Sequence, residues 1–214
     1  MKKPIALFDF DGVIADTETQ YTEFWSARGL KYLGIEEFGH VIKGQTLVQI
    51  LGKYFEGMDA IKAELVEDLD DFERNMSYEY IPGVYEFMLA LKAAGIPMAI
   101  VTSSNDIKMQ QAYKAHPELL DIVDAVLTSE HFSKSKPDPE CFIKGMETLG
   151  GTPETTIVFE DSFHGLSAGR ASGAFVVGLA TTNPREAIAP YCDLVIDDFT
   201  RVSLLDIMTG KNKF

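Results

Sequence analysis

Cysteine and basic residues are both scarce in this chain of 214 residues. The two cysteines, Cys141 and Cys192, lie far apart and outside any spacing typical of a metal site, so we expect buried, reduced thiols. Only 19 Lys and Arg residues stand against 33 Asp and Glu residues, which gives a formal net charge of −14. Because nucleic acids and anionic membranes attract basic surfaces, this charge predicts that neither is a partner.

Long hydrophobic runs are missing as well. The first apolar run begins after Met1-Lys2-Lys3-Pro4 and stops at Asp9, which is too early for the core of a signal peptide or for a membrane span. We therefore expect a soluble, cytoplasmic protein, with a monomer as the default. Hydrophobic residues still make up 46% of the chain, enough for the core of one domain with a modest insertion.

Short apolar runs alternate with helical periodicity along most of the chain. The apolar runs predict strands buried on both faces, at 5–8, 97–101, 124–128, 156–159, 175–179 and 193–196. Helical patterns lie between them, at 84–94, 139–149 and 163–172. This alternation predicts an α/β fold with a parallel sheet covered by helices on both faces.

Residues 16–81 break the alternation, because they contain helix-favouring segments and no convincing strand. We expect them to form a small helical domain inserted between the first and second strands. The core would then consist of residues 1–15 and 82–214. Phe24 and Trp25 are expected to lie in the interior of the inserted domain.

Two carboxylates, Asp9 and Asp11, directly follow the first predicted strand in the segment Asp9-Phe10-Asp11-Gly12. Acids at the end of a buried strand are costly unless a cation or a substrate uses them. One carboxylate can attack phosphorus and form an acyl phosphate. The other can protonate the leaving oxygen and later activate water. The alternative is an ordinary Asp-Gly turn at the end of a strand.

Three more polar groups are predicted at the same edge of the sheet, where open α/β folds bind ligands. Thr102-Ser103-Ser104-Asn105 can hold phosphoryl oxygens, or it can cap the helix that follows. Lys136 can neutralise a phosphate, or it can be a surface lysine. Glu160 and Asp161 resemble a site for a hard cation, or they can favour a helix N-terminus through its dipole.

Taken together, four motifs resemble the haloacid dehalogenase superfamily of phosphohydrolases: DFDGVI at 9–14, VTSS at 101–104, SKPDP at 135–139 and FEDS at 159–162. The similarity extends over nearly the whole chain, including the helical insertion. DTE at 16–18 and IPGV at 81–84 are similar to the subgroup that contains β-phosphoglucomutase and small sugar phosphatases. The resemblance implies a Rossmann-like parallel sheet in the order 3-2-1-4-5 with a helical C1-type cap.

The resemblance also implies a nucleophile and a metal site. Asp9 would be the nucleophile and a ligand of Mg²⁺, and Asp11 the general acid and base, with its backbone carbonyl on the metal. Asp161 would complete the metal site, with Glu160 either a ligand or a supporting group. The true dehalogenases of the superfamily lack the second aspartate of the first motif, so the presence of Asp11 argues against carbon–halogen chemistry.

The remaining implied roles concern the phosphoryl group. Thr102 and the backbone N–H of Ser103 would hold it, with Ser104 beside them as a further substrate-binding residue. Lys136 would pair with the phosphoryl group and with Asp9. The implied partner is a small phosphorylated metabolite, with a sugar or polyol phosphate as the expected class.

The cap decides between a phosphatase and a mutase. In the family's β-phosphoglucomutases, the cap carries a histidine soon after the first motif and an arginine shortly after a Lys-Gly pair. Here Tyr21 stands where the histidine is expected, and no basic residue follows Lys43-Gly44 before Lys53. Because a mutase must hold two phosphates, we favour an Mg²⁺-dependent phosphatase and keep the phosphosugar mutase as the alternative. Lys43, Tyr21 and Gln45 are candidates for contact with the substrate.

Overall fold

Six short parallel strands form one sheet in the computed structural model, which describes residues 3–43, 45, 47–203 and 205–207. The sheet order is β3-β2-β1-β4-β5-β6, and every neighbouring pair is parallel. The strands are β1 (Ile5–Phe8), β2 (Met98–Val101), β3 (Ala125–Leu127), β4 (Thr156–Glu160), β5 (Phe175–Leu179) and β6 (Leu194–Ile196). The predicted α/β class and the order 3-2-1-4-5 are confirmed, and β6 extends the sheet beyond β5.

Helices accompany the strands in the described part of the chain. The predicted helices at 84–94, 139–149 and 163–172 are present, each within one residue at either end. The helices are α1 (Glu18–Leu33), α2 (Phe38–Val41), α3 (Leu47–Tyr54), α4 (Asp59–Asn75), α5 (Val84–Ala93), α6 (Asp106–Ala115), α7 (Leu119–Ile122), α8 (Glu140–Leu149), α9 (Phe163–Ala171) and α10 (Arg185–Ile188). Within the described ranges, no helix has both the length and the apolar character needed to cross a bilayer.

The two faces of the sheet are filled by alternate residues of its strands. On one face, Phe8 of β1 stacks on Phe159 of β4 with ring centroids 4.5 Å apart, and Phe199 packs against both rings. On the other face, Leu7 lies in a buried cluster that includes Phe142 of α8. Because both faces are covered, the strands have continuous apolar sequences rather than alternating ones.

The chain divides into two compact units. One unit contains the described residues up to Asp16 and from Tyr78 onward, and it holds the sheet. The other, Thr17–Ser77, contains α1 to α4. Phe24 and Trp25 are buried in the apolar cluster of this helical unit, which confirms that both belong to its interior.

Candidate active site

The carboxyl ends of β1, β2 and β4 bring three of the predicted motifs together. Phe8, the last residue of β1, pairs with Ile100 of β2 and with Phe159 of β4. The next backbone N–H, that of Asp9, donates to the carbonyl of Phe159 at 3.0 Å. Asp9 therefore leaves the sheet beside Glu160, at the point where the chain order reverses between β1 and β4. Open α/β sheets bind their ligands at this point.

A buried lysine links Asp9 to Glu160. The Lys136 Nζ lies 3.0 Å from Asp9 Oδ1 and 2.8 Å from Glu160 Oε1, and its side chain is only 6% exposed. Burial acts to lower the pKa of Lys136, but the charges of Asp9 and Glu160 outweigh it and hold the pKa above the ordinary value. Lys136 is therefore a fixed positive charge at the end of β1, and not a surface lysine.

The carboxyl group of Asp9 lies in an environment that opposes its ionisation. Burial raises the pKa of Asp9 to about 8, against the charge of Lys136 and with help from the charges of Glu160 and Asp11. One lysine is thus insufficient to compensate this group of acids. A divalent cation placed beside Asp9 would favour the ionised carboxylate that a nucleophile requires.

Three buried carboxylates can form a metal site. Asp9, Glu160 and Asp161 each offer an oxygen, and these oxygens lie within 4.8 Å of one another. Hard oxygen donors of this kind suit Mg²⁺. The charge excess and the donor chemistry both fit the predicted magnesium site.

The Glu160 carboxylate accepts several hydrogen bonds from the segment that follows it. Its Oε2 accepts hydrogen bonds from the backbone N–H groups of Asp161 and Ser162, both at 2.7 Å, and from the Ser162 hydroxyl at 3.0 Å. A Cβ added at Gly165 of α9 would collide with the Glu160 carboxylate. This arrangement favours Glu160 as the group that orients Lys136 and the loop carrying Asp161.

A loop after β5 holds Asp161 and was missed by the sequence reasoning. The Thr182 hydroxyl donates to Asp161 Oδ2, and the Asn183 side chain donates to the Asp161 carbonyl at 3.1 Å. The Thr181 hydroxyl donates to the carbonyl of Gly12 at 2.6 Å. The signal was available, because Thr181-Thr182-Asn183 is a polar group that closely follows an apolar strand, like the motifs that were found.

Asp11 is held from the N-terminal end of α6. The Ser104 hydroxyl donates to Asp11 Oδ2 at 2.6 Å, and Lys108 Nζ donates to Asp11 Oδ1 at 2.6 Å. Ser104, expected as a substrate-binding residue, thus contacts the second aspartate of the first motif. Lys108 was not predicted at all.

The segment after β2 serves two purposes at once. Asn105 is the N-cap of α6, and its side chain accepts from the backbone N–H of Lys108 at 2.9 Å, so the capping interpretation is correct for this residue. Thr102 is fully buried, and its Oγ1 accepts from the backbone N–H of Ser104 at 3.0 Å. Because a hydroxyl carries one donor in addition to its acceptor sites, Thr102 can still donate to a ligand. Ser103 is exposed at the same edge of the sheet.

The substrate-contact candidates of the helical unit line one cavity. Tyr21, Lys43 and Gln45 contribute to a space of about 260 Å³, while Gly44 lies outside the described residues. The Tyr21 hydroxyl donates to Glu73 Oε1 at 2.8 Å. Tyr21 is therefore bound within its own unit.

The chain is similar to known proteins over most of its length. Residues 6–179 match the family described as haloacid dehalogenase-like hydrolase. A validoxylamine A 7′-phosphate phosphatase from Streptomyces hygroscopicus subsp. limoneus is 29% identical over 92% of this chain and 95% of its own length. A β-phosphoglucomutase from Mycobacterium bovis is 27% identical over 92% of this chain and 90% of its own length.

The fold of the chain is also similar to that of a solved structure. The HAD hydrolase of family IA, variant 3, from Entamoeba histolytica superimposes with a TM-score of 0.80 at 24% identity, covering 98% of this chain and 99% of that chain. The family match extends from Ala6 in β1 to the end of β5 and includes the four motifs of the sequence analysis. The chain therefore belongs to the haloacid dehalogenase-like hydrolase family of enzymes.

Proposed function

We propose that this protein is an Mg²⁺-dependent phosphatase that hydrolyses a small phosphorylated metabolite through a phosphoryl group carried on Asp9. The observation that carries the proposal is the buried group of Asp9, Lys136 and Asp161 at the carboxyl end of β1 and β4. A carboxylate beside a fixed ammonium group and a cation site is suited to attack on phosphorus.

In the first step, an oxygen of Asp9 attacks the phosphorus of the substrate. The bond between phosphorus and the ester oxygen breaks, and Asp11 gives that oxygen a proton, so the metabolite leaves as an alcohol. In the second step, water attacks the phosphorus of the acyl phosphate and passes a proton to Asp11. The bond between phosphorus and Asp9 breaks, inorganic phosphate leaves, and both aspartates return to their starting states.

The phosphoryl group needs positive charge and hydrogen-bond donors around it. The Lys136 ammonium supplies a charge that already touches Asp9, and Thr102 supplies a buried hydroxyl. Mg²⁺, when bound by Asp9, Asp161 and the carbonyl of Asp11, supplies charge neutralisation. Glu160 accepts from the Lys136 ammonium and from the backbone N–H of Asp161, and so orients both.

A mutase is the second candidate, because one relative is a β-phosphoglucomutase. The sequence of the helical unit favours the phosphatase. Tyr21 stands where the mutases of the family carry a histidine, and no basic residue follows Lys43-Gly44 before Lys53. A mutase must hold two phosphates, and these positions offer no second anchor for a phosphate.

A screen of phosphorylated metabolites with Mg²⁺ tests the proposal, with released inorganic phosphate as the readout and EDTA as the control. We expect metal-dependent release from sugar or polyol phosphates and none from the Asp9→Asn variant, which is nearly isosteric. β-Glucose 1-phosphate is included, with formation of glucose 6-phosphate followed in parallel. Isomerisation with little release would establish the mutase, and wild-type turnover by Asp9→Asn would refute the covalent route.

A further inference from the structure

Lys108 occupies a position that local physical chemistry disfavours. It is the third residue of α6 after the Asn105 cap, where the positive end of the helix dipole repels a cation. Its side chain is nevertheless only 10% exposed. Lysine is rarely buried unless its charge has a partner. Some interaction beyond the helix must therefore compensate this placement.

That interaction is with Asp11. Lys108 Nζ and the Ser104 hydroxyl each lie 2.6 Å from a different oxygen of the Asp11 carboxylate. Ser104 lies directly before the Asn105 cap and Lys108 lies in the first turn of α6, where Asn105 accepts its backbone N–H. Both oxygens of Asp11 thus accept from one short segment, which restricts the orientation of the carboxyl group.

Several acids gather at the carboxyl end of β1. The charge of Asp11 helps to raise the pKa of Asp9, so ionisation of one carboxyl group disfavours ionisation of the other. Lys136, the other buried lysine at this edge, contacts Asp9 and Glu160. Lys108 places its positive charge directly on Asp11, with the Nζ atom 2.6 Å from Oδ1.

We propose that Lys108 is a positioning residue that holds the Asp11 carboxyl group in the orientation needed for proton transfer. The inference rests on the proposed function, in which Asp11 transfers a proton in both steps. Lys108 lies outside the four motifs that relate the chain to its family. Misplacing a reacting group by about 1 Å can cost on the order of 100-fold in rate.

p-Nitrophenyl phosphate separates the two steps. Its leaving group departs as a stable phenolate, so transfer of the phosphoryl group to Asp9 needs no proton from Asp11. Hydrolysis of phospho-Asp9 always needs Asp11 to accept a proton from water. An error in the position of Asp11 must therefore slow the second step selectively with this substrate, and both steps with an alkyl phosphate.

The test compares Lys108→Met with Lys108→Arg in rapid-mixing experiments. With p-nitrophenyl phosphate, we expect Lys108→Met to release one equivalent of nitrophenol at close to the wild-type rate. Steady turnover then falls by about 10- to 100-fold, and KM does not rise. Hydroxylamine-labile phosphoprotein should accumulate in acid-quenched samples. Lys108→Arg should recover most of the steady rate, because it retains the charge.

Lys114→Met is the matched control, since Lys114 is an exposed lysine of the same helix, and it should behave as the wild type. If Lys108→Met does not fold, Ser104→Ala removes the other contact to Asp11 and should show the same selective loss. Equal slowing of burst and steady turnover, or no slowing at all, would overturn the inference. A higher KM confined to alkyl phosphates would instead assign Lys108 to the leaving group.

The same experiment distinguishes this inference from the proposed function. A wild-type protein that forms and hydrolyses phospho-Asp9, with a Lys108→Met variant that does so equally well, refutes the role of Lys108 alone. A wild-type protein that never forms phospho-Asp9 refutes the proposed function, and the inference with it.

Discussion

Gly12 directly follows Asp11, at the turn where the chain leaves the first motif. We expect the Gly12→Ala substitution to displace Asp161 and so to weaken the metal site. The φ of Gly12 is +72°, a left-handed conformation that costs a residue with a Cβ about 1–2 kcal/mol. An added Cβ would also collide with the Asp161 carboxylate and would lie 2.9 Å from Thr182 Oγ1. Overpacking of this kind costs a further ~1–3 kcal/mol. The sum is about 2–5 kcal/mol of lost unfolding free energy.

Gly150→Ala isolates the backbone cost from the collision. Gly150 follows α8 with φ of +69°, and a Cβ there would meet nothing within 4 Å. We expect this control to lose about 1–2 kcal/mol in urea unfolding and to keep its activity. Gly12→Ala should lose more stability, should release phosphate far more slowly, and should need more Mg²⁺ to raise its melting temperature. Equal stability loss in the two variants, with wild-type Mg²⁺ dependence in Gly12→Ala, would refute the close approach of Gly12 to Asp161.

Three further predictions concern the core unit. Lys136→Met should lose phosphatase activity and about 3–5 kcal/mol of unfolding free energy, because it leaves the buried acids Asp9 and Glu160 without this counter-charge. An unchanged urea midpoint would contradict the predicted loss of stability. Burial raises the pKa of Cys141 to about 11, so little thiolate exists at lower pH. In a Cys192→Ser background, the Cys141 thiol should react slowly with a disulfide reagent at pH 8, faster toward pH 11, and fast at pH 8 in denaturing urea. Rapid reaction of the folded variant at pH 8 would disprove the burial of Cys141. Phe8→Ala should cost about 3–5 kcal/mol in urea unfolding, since it empties the space stacked on Phe159, and a loss below about 1 kcal/mol would mean that the cluster closes around the gap.

Much of the fold follows from local patterns in the chain. The segments 5–8 and 157–159 are continuous apolar runs that are each followed by an acid, and a strand covered on both faces exposes no polar side. The helical pattern at 84–94 also ended within one residue of α5, and Gly95, which has a left-handed conformation, directly follows the Ala94 cap. The capping interpretation of Asn105 succeeded for the same reason, since an N-cap is an interaction over three residues.

The candidate site was predictable to the extent that it depends on strand ends. Parallel strands present their carboxyl ends at one edge, so Asp9, Thr102 and Asp161 had to meet once the strands were identified. Lys136 lies on a loop whose path no local pattern indicates. Its pairing with Asp9 was implied by the family resemblance, and its contact with Glu160 came from the structure.

The sequence by itself determined the α/β class, the strand order through its resemblance, and the residues that gather at the end of β1, because these depend on short-range periodicity and on the geometry of parallel sheets. Only the tertiary structure decided which side chains touch. Lys108 meets Asp11 across 97 positions of the chain, and Thr182 meets Asp161 across 21. Such contacts depend on strand register and on the direction of each helix, which no stretch of sequence encodes locally. The contacts of Lys108 with Asp11 and of Thr182 with Asp161 therefore became visible only in the folded protein.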